Sequence, residues 1–408
     1  MQYNNEVLVS VIMPIYNAEE FLRETLERVV NQTLKEIEII CVDDGSSDGS
    51  LAILQEYADA DERFVIIKQK NQYAGVARNN GIKKAKGKYI VCWDSDDLFE
   101  LEALEKMYNR IEEDGADICI CDANQMDYNT EEVIVRNIYL QKQYLPENRP
   151  FSKTDIPENI FRFTTNVPWN KMIKREFVEE HKLQFQSLKQ ANDTYFSMMA
   201  LFLAESITYV DEKLINYRLD NDKSLTGKAS DTTMCAYESY EKTRLALVAQ
   251  EDFTNSEQLQ KGFANRALQG LVYSLFSQNN IDSYTKLYQV LADEGLKKFG
   301  VADKDEDYFI APKQYERKQQ ITTMRPDEFL LAVLKEAQKE VRNLRSRLGL
   351  KNQEIREHKQ TIREQNKTIK EREKTIRAQQ TVLDSLAVRT ALKTKKILTL
   401  NGKLRYKK

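Results

Sequence analysis

Four short apolar runs in the first hundred residues, at 7–14, 37–42, 64–67 and 89–93, decide what this part of the chain can fold into. Each reads as a strand, and those at 7–14 and 89–93 as buried ones. Helical spacing separates them. Phe21, Leu22, Leu26, Val29 and Val30 form one apolar stripe, a helix follows from about Ser50 to Ala58, and Ala74, Ala77, Ile82 and Ala85 form another stripe. Strand and helix in alternation predict an α/β fold with a doubly wound, mostly parallel sheet. Asn17, with Glu20 three residues on, predicts a capping box at the first helix.

The fourth run breaks into Asp94-Ser95-Asp96-Asp97, three carboxylates within four residues. At a strand end they would stand on the rim of the sheet, where open α/β folds bind ligands. Carboxylates so close repel unless a cation joins them, and oxygen ligands favour Mg²⁺ or Mn²⁺. The plainer reading is an acidic turn with Asp97 near the N-cap of a helix starting near Leu98. The second run ends in Asp43-Asp44-Gly45-Ser46-Ser47-Asp48. Asp43 and Asp44 could accept from a base N–H or a ribose hydroxyl there, whereas Asp48 reads better as a helix cap. Gly75 and Arg78 stand near the start of the third helix, where Arg78 could meet a base or a diphosphate, or simply face solvent. No strand is followed by G-x-G-x-x-G and no P-loop lysine is present, which excludes both of those phosphate cradles.

Composition narrows the chemistry. With only His181 and His358, a Ser-His-Asp or Cys-His nucleophile has almost nothing to be built from, so acid–base work falls to carboxylates, Lys or Tyr. The five Cys mostly lie in apolar runs and read as reduced core thiols of a cytosolic protein. A net charge of −3 argues against a nucleic-acid partner. The N-terminus lacks the plan of a signal peptide, and no apolar run approaches the ~20 residues of a membrane span.

Further along, 116–121 reads as a strand, 124–165 as a mixed polar stretch, and 167–173 as an ordered return. A helix is expected from about Asp193, strand-like runs at 207–210 and 213–218, and helices from about 230 to 300. Then Val341, Leu348, Ile355, Ile362, Ile369, Ile376 and Leu383 recur at steps of seven. This predicts a coiled coil, although Asn352, Lys359, Asn366, Glu373 and Gln380 make the other half of the seam polar, as in a single solvated helix. Beyond Asp384 the chain has no acidic residues and mixes basic with apolar ones, a tail suited either to an anionic membrane surface or to a frayed terminus.

Together, Pro14-x-Tyr16-Asn17, Asp43-Asp44-Gly45-Ser46-x-Asp48, Gly75-x-x-Arg78-Asn79-x-Gly81 and Asp94-Ser95-Asp96-Asp97 resemble glycosyltransferase family 2 in order and spacing. Trp169-Asn170-Lys171, Asp193-x-x-Phe196 and Tyr217-Arg218 with Ser224 resemble its bacterial polysaccharide-building branch. The resemblance covers about residues 7 to 226 and implies a GT-A fold. It also implies an inverting transfer from a UDP-sugar to a glycan or lipid-linked acceptor. It puts Pro14, Tyr16, Asp43, Asp44, Gly75, Arg78, Asp94 and Ser95 around the nucleotide, and Mn²⁺ or Mg²⁺ on Asp96 with Asp94 beside it. Asp193 would be the general base, with Trp169 and Lys171 on the acceptor side. Trp169 would be equally ordinary as a core aromatic, and Asp193 as a helix cap. Where the branch usually has Glu-Asp, this chain has Asn192-Asp193.

The expected organisation is a transferase domain over 1–226 (nucleotide half 1–100, acceptor half 101–226), a helical domain over 227–330, a coiled coil over 331–388 and a basic tail over 389–408. The coil would pair two chains, and the tail would hold a cytoplasmic protein at the inner face of a membrane. A sugar nucleotidyltransferase, or a scaffold with an inactive transferase-like domain, are the competing readings. The first releases pyrophosphate rather than UDP, and the second does not bind UDP.

Overall fold

The computed structural model describes residues 7–128, 130–219 and 232–404. It divides into two compact units, Met1–Pro326 and Asp327–Lys408. The first unit begins β1 (Val9–Ile15), α1 (Glu19–Val30), β2 (Ile37–Asp43), α2 (Ser50–Ala60), β3 (Phe64–Lys68), α3 (Tyr73–Ile82) and β4 (Tyr89–Cys92). The strands pair in parallel in the order β3-β2-β1-β4. Every residue of β2 and β4 is buried, including Glu38, which accepts from the Ser10 hydroxyl at 2.6 Å, whereas β3 at the sheet edge is mostly half-buried. Leu22, Leu26 and Val29 of α1 join Val9, Val11 and Met13 of β1 in the main core.

The capping box does not form. Asn17 takes φ 50, and no side chain caps α1. Asn17 instead accepts from the Ser47 main-chain N–H at 2.8 Å. Asp48 supplies what is missing: one oxygen accepts from Glu19 N at the head of α1 (3.1 Å), the other from Ser50 N at the head of α2 (3.0 Å). A carboxylate from the facing loop thus outcompetes the local side chain.

The chain continues through β5 (Leu98–Phe99), α4 (Ala103–Asp114), β6 (Ile118–Asp127), β7 (Val133–Ile134), β8 (Lys171–Lys174), α5 (Arg175–Glu180), α6 (Thr194–Leu203) and β9 (Ile207–Leu219). The sheet extends as β4-β8-β6-β9-β5, with β7 paired to β6. Here it is mixed: β8 runs antiparallel to both neighbours, β6 and β9 are parallel, and β5 is antiparallel to β9. The parallel expectation therefore describes the first half only. The two strand-like runs at 207–218 form one strand, whose pairing with β6 shifts register around Asp122.

The helix expected at Leu98 starts at Ala103, because Leu98 and Phe99 pair with Asn216 and Ile215 and Phe99 stacks on Trp93 at 3.8 Å. Helices α7 (Cys235–Val248), α8 (Glu251–Thr254), α9 (Glu257–Phe276), α10 (Ile281–Val290), α11 (Leu296–Lys298) and α12 (Pro312–Thr323) complete the unit. Of these, α7 packs on α6. Ser224 and the boundary expected at 226–227 lie outside the described residues.

The second unit is essentially one helix, α13 (Pro326–Leu404). Val341, Leu348, Ile355, Ile362, Ile369 and Ile376 are exposed along it. The side chains of Leu383 and of the basic tail beyond Arg389 lie outside the described residues. No described helix is long and apolar enough to cross a membrane.

Candidate active site

Two strand ends on the parallel side bring carboxylates to the same rim. At the end of β2, Asp43 and Asp44 are buried. Asp43 accepts from Ser46 N at 3.2 Å. Asp44 accepts from the Gln69 side-chain amide at 2.7 Å and from Gln72 N at 2.8 Å, lacing the β2 turn to the loop after β3. Gly45 makes this possible: its φ is +78, and a Cβ there would stand 3.1 Å from Asn71 N. Pro14 pairs with Val42 near the end of β1, and Tyr16 just beyond is 49% exposed.

At the end of β4, Asp94 accepts from one Arg78 guanidinium nitrogen at 2.6 Å. The other nitrogen donates to Asn192 Oδ1 at 3.0 Å, and the Phe185 ring lies 5.3 Å from the guanidinium. One turn before Arg78 on α3, Gly75 lets the 186–192 loop come close; a Cβ would meet Gln186 O at 2.2 Å. Arg78 therefore joins the β4 rim to the segment that leads into α6. Asn192 carries no signal of this in the sequence, since its partner is 114 positions away. Because Asn192 is an amide, Asp94 is the one anionic hydrogen-bond partner of Arg78 among the described residues.

Ser95 and Asp96 lie in the turn between β4 and β5. Burial and the neighbouring Asp94 push the Asp96 carboxyl up to about 6, against the pull of Arg218 and Arg78. Asp97 is fully buried, and burial followed by the Asp96 and Asp94 charges raises it well above the usual range. It caps no helix. Its Oδ1 accepts from Arg218 N at 3.1 Å, and its Oδ2 has no partner among the described residues. The Arg218 side chain donates to Asp96 O at 2.8 Å, pairs with Glu24, and faces the Phe21 ring at 4.8 Å. Arg218 thus clamps the acidic turn from β9, a role that its place in the sequence did not reveal.

Among the described residues, no three Asp, Glu, His or Cys side chains group to hold a metal ion. Asp96, with Asp94 beside it, offers a partial oxygen donor set, and the Asp96 carboxyl is raised first by burial and then by the Asp94 charge. That chemistry fits a divalent cation whose remaining ligands are phosphate oxygens and water.

Asp193 stands at the head of α6, yet its side chain makes no cap. Burial raises its carboxyl, with Arg78 opposing first and Lys171 more weakly. The Lys171 ammonium is buried and donates to Thr165 O (2.9 Å), Val167 O (2.8 Å) and Asn170 Oδ1 (2.9 Å). Burial lowers it to about 7, despite the nearby Asp193 charge. Trp169 is only 2% exposed, stacked on Tyr217 at 5.5 Å and against Tyr139 at 5.0 Å. So Trp169 and Lys171 present no open surface; they brace the 165–171 segment next to Asp193.

A sheet with a parallel half and buried carboxylates at two strand ends presents the rim at which open α/β folds bind ligands. A solved structure of Staphylococcus aureus TarS in complex with UDP-GlcNAc superposes with a TM-score of 0.62, covering 79% of this chain and 89% of that one at 19% identity. The family model for glycosyl transferase family 2 matches residues 10–182. EpsH of Bacillus subtilis, a protein named as a glycosyltransferase, is 37% identical over 214 residues, 52% of this chain and 60% of EpsH. Glycosyltransferase GlyG of Streptococcus pneumoniae is 32% identical over 218 residues, 52% of this chain and 70% of GlyG. The chain belongs to glycosyltransferase family 2.

Proposed function

We propose that the protein moves a sugar, with inversion, from a UDP-sugar to a glycan or lipid-linked acceptor in bacterial surface polysaccharide synthesis. The observation that carries this reading is the Arg78 bridge, which ties Asp94 at the end of β4 to Asn192, the residue before Asp193. The family membership and the UDP-GlcNAc complex of the TarS fold relative support a uridine donor.

In this reading Asp43 and Asp44 face the uridine, with their turn pre-set by the Ser46, Gln69 and Gln72 donors. Pro14, Tyr16, Gly75 and Ser95 shape the same cleft. Asp96 and Asp94 hold Mn²⁺ or Mg²⁺, which when bound neutralises charge on the leaving diphosphate. Asp193 takes the proton of the acceptor hydroxyl as the acceptor oxygen attacks the anomeric carbon; burial raises its carboxyl above the ordinary range, which makes it a stronger base. Lys171 and Trp169 act as positioning residues behind it.

The test is a panel of UDP-sugars scored for slow hydrolysis with Mn²⁺. Release of UDP is the expected result, and release of pyrophosphate would overturn the reading in favour of a nucleotidyltransferase. Calorimetry that finds no UDP binding with Mn²⁺ would favour the scaffold instead. The exposed heptad stripe supports pairing of two chains through α13. Deleting 341–388 is expected to turn a dimer into a monomer in solution scattering, and an unchanged mass would remove the coil from the account. The basic tail would rest on the inner face of the membrane.

A further inference from the structure

A cavity of about 350 Å³ lies within the first unit, between α9, α12 and Arg162. Four cationic residues line it, Arg162, Arg266, Lys313 and Arg317, and no carboxylate does so among the described residues. Val272 and Phe276 contribute an apolar wall. Three of the cations have visible company. Arg162 lies over the Tyr144 ring at 3.8 Å, Lys313 pairs with Glu316 at 3.0 Å, and Arg317 donates to Gln320 at 2.6 Å. Arg266 differs. It has no hydrogen bond or ion pair to any described residue, and its Nε is buried without a partner. Gln314 Oε1, also on the lining, is likewise buried and unpartnered. An arginine side chain on a cavity wall with no protein partner among the described residues leaves its charge-assisted hydrogen bonds to whatever occupies the cavity.

We propose that this cavity binds the phosphate-bearing end of an amphiphile. The phosphate lies on Arg266 and its cationic neighbours, and the first carbons of the chain lie on Val272 and Phe276. Guanidinium groups match phosphate oxygens in geometry as well as charge, and the absence of a lining carboxylate leaves nothing to repel the anion. The cavity is on the acceptor side of the molecule. Arg266 is near enough to Lys171 to add to the lowering of its ammonium, and Lys171 in turn feels the Asp193 charge. The amphiphile is then the carrier on which the acceptor sugar arrives. That last identification rests on the transferase reading above, whereas the binding does not.

The probe is dodecyl phosphate below its micelle threshold, titrated into the full chain by calorimetry, with dodecyl maltoside and inorganic phosphate as separate arms. Saturable binding of dodecyl phosphate, tighter than either control, is expected. Arg266→Gln should weaken it about tenfold, the worth of one charge-assisted contact, with UDP affinity unchanged. Gln269 is an exposed lining residue, so Gln269→Glu places a repelling charge at the cavity with little risk to folding and should weaken binding similarly. Melting curves confirm that both variants are folded. Equal affinity for dodecyl maltoside or for inorganic phosphate would overturn the proposal, as would unchanged affinity in both variants. Dodecyl phosphate binding in a chain that does not bind UDP would leave the cavity site standing and remove only the acceptor assignment.

Discussion

The rims of β2 and β4 carry carboxylates of opposite condition. Asp43 and Asp44 are met by main-chain and amide donors, so their positions are fixed before any ligand arrives. At β4, Asp94 has Arg78, Asp96 is raised by burial and then by Asp94, and Asp97 keeps an oxygen without a partner among the described residues. The same residue type serves two ends: a satisfied pair holds a shape, and an unrelieved cluster holds a demand for a proton or a cation. Asp193 extends the second condition across Arg78 into the acceptor half.

The largest effect that would test this contrast is Asp193→Asn, which should lower transfer roughly 10² to 10⁴-fold, as expected for loss of a general base, with UDP affinity intact. Retained turnover would break the assignment. Next, Asp96→Asn should cost roughly 10²-fold in transfer, and chelation of Mn²⁺ should have little further effect in that variant while abolishing wild-type turnover. By contrast, Asp44→Ala should act first on stability. Leaving the Gln69 and Gln72 donors unpaired costs about 1–3 kcal/mol, read as a lower melting temperature, with a weaker KM for donor following.

The smallest effect is a pH signature. The Asp96 carboxyl is raised from an ordinary 3.8 to about 6. The folded chain therefore holds that proton more tightly than the unfolded one, so its stabilising contribution is full below pH 4 and is lost as pH rises through about 6. Without metal, the wild type should lose melting temperature relative to Asp96→Asn over that window, and Mn²⁺ should flatten the difference. No difference between the two curves would place Asp96 in the satisfied class with Asp44.

The parallel half of the sheet was legible because its strands are mostly apolar runs, interrupted within at Ser10 and Glu38, and each ended in its polar turn. The places of Asp43, Asp44 and Asp94 at or beside strand ends were legible for the same reason, since strand ends in a parallel sheet point to one rim. What failed were local rules overridden from a distance. Asn17 had the spacing of a capping box, but Asp48 from the facing loop took the α1 N–H. Asp97 looked like a helix cap, but β9 claimed it through Arg218 N. Trp169 looked available for a sugar, but Tyr217 and Tyr139 cover it. The antiparallel insertion of β8 between β4 and β6 had no signature, since its few residues read the same in either direction.

The Arg78 bridge carries a consequence for how such enzymes can be recombined. A chimera that keeps this donor half and borrows another acceptor half inherits a guanidinium that insists on an oxygen opposite Nη1. A graft with Asn or Glu at position 192 can meet that demand, but an apolar residue there would strand a buried charge at the seam. New acceptor preferences can therefore enter this scaffold only through segments that keep position 192 polar.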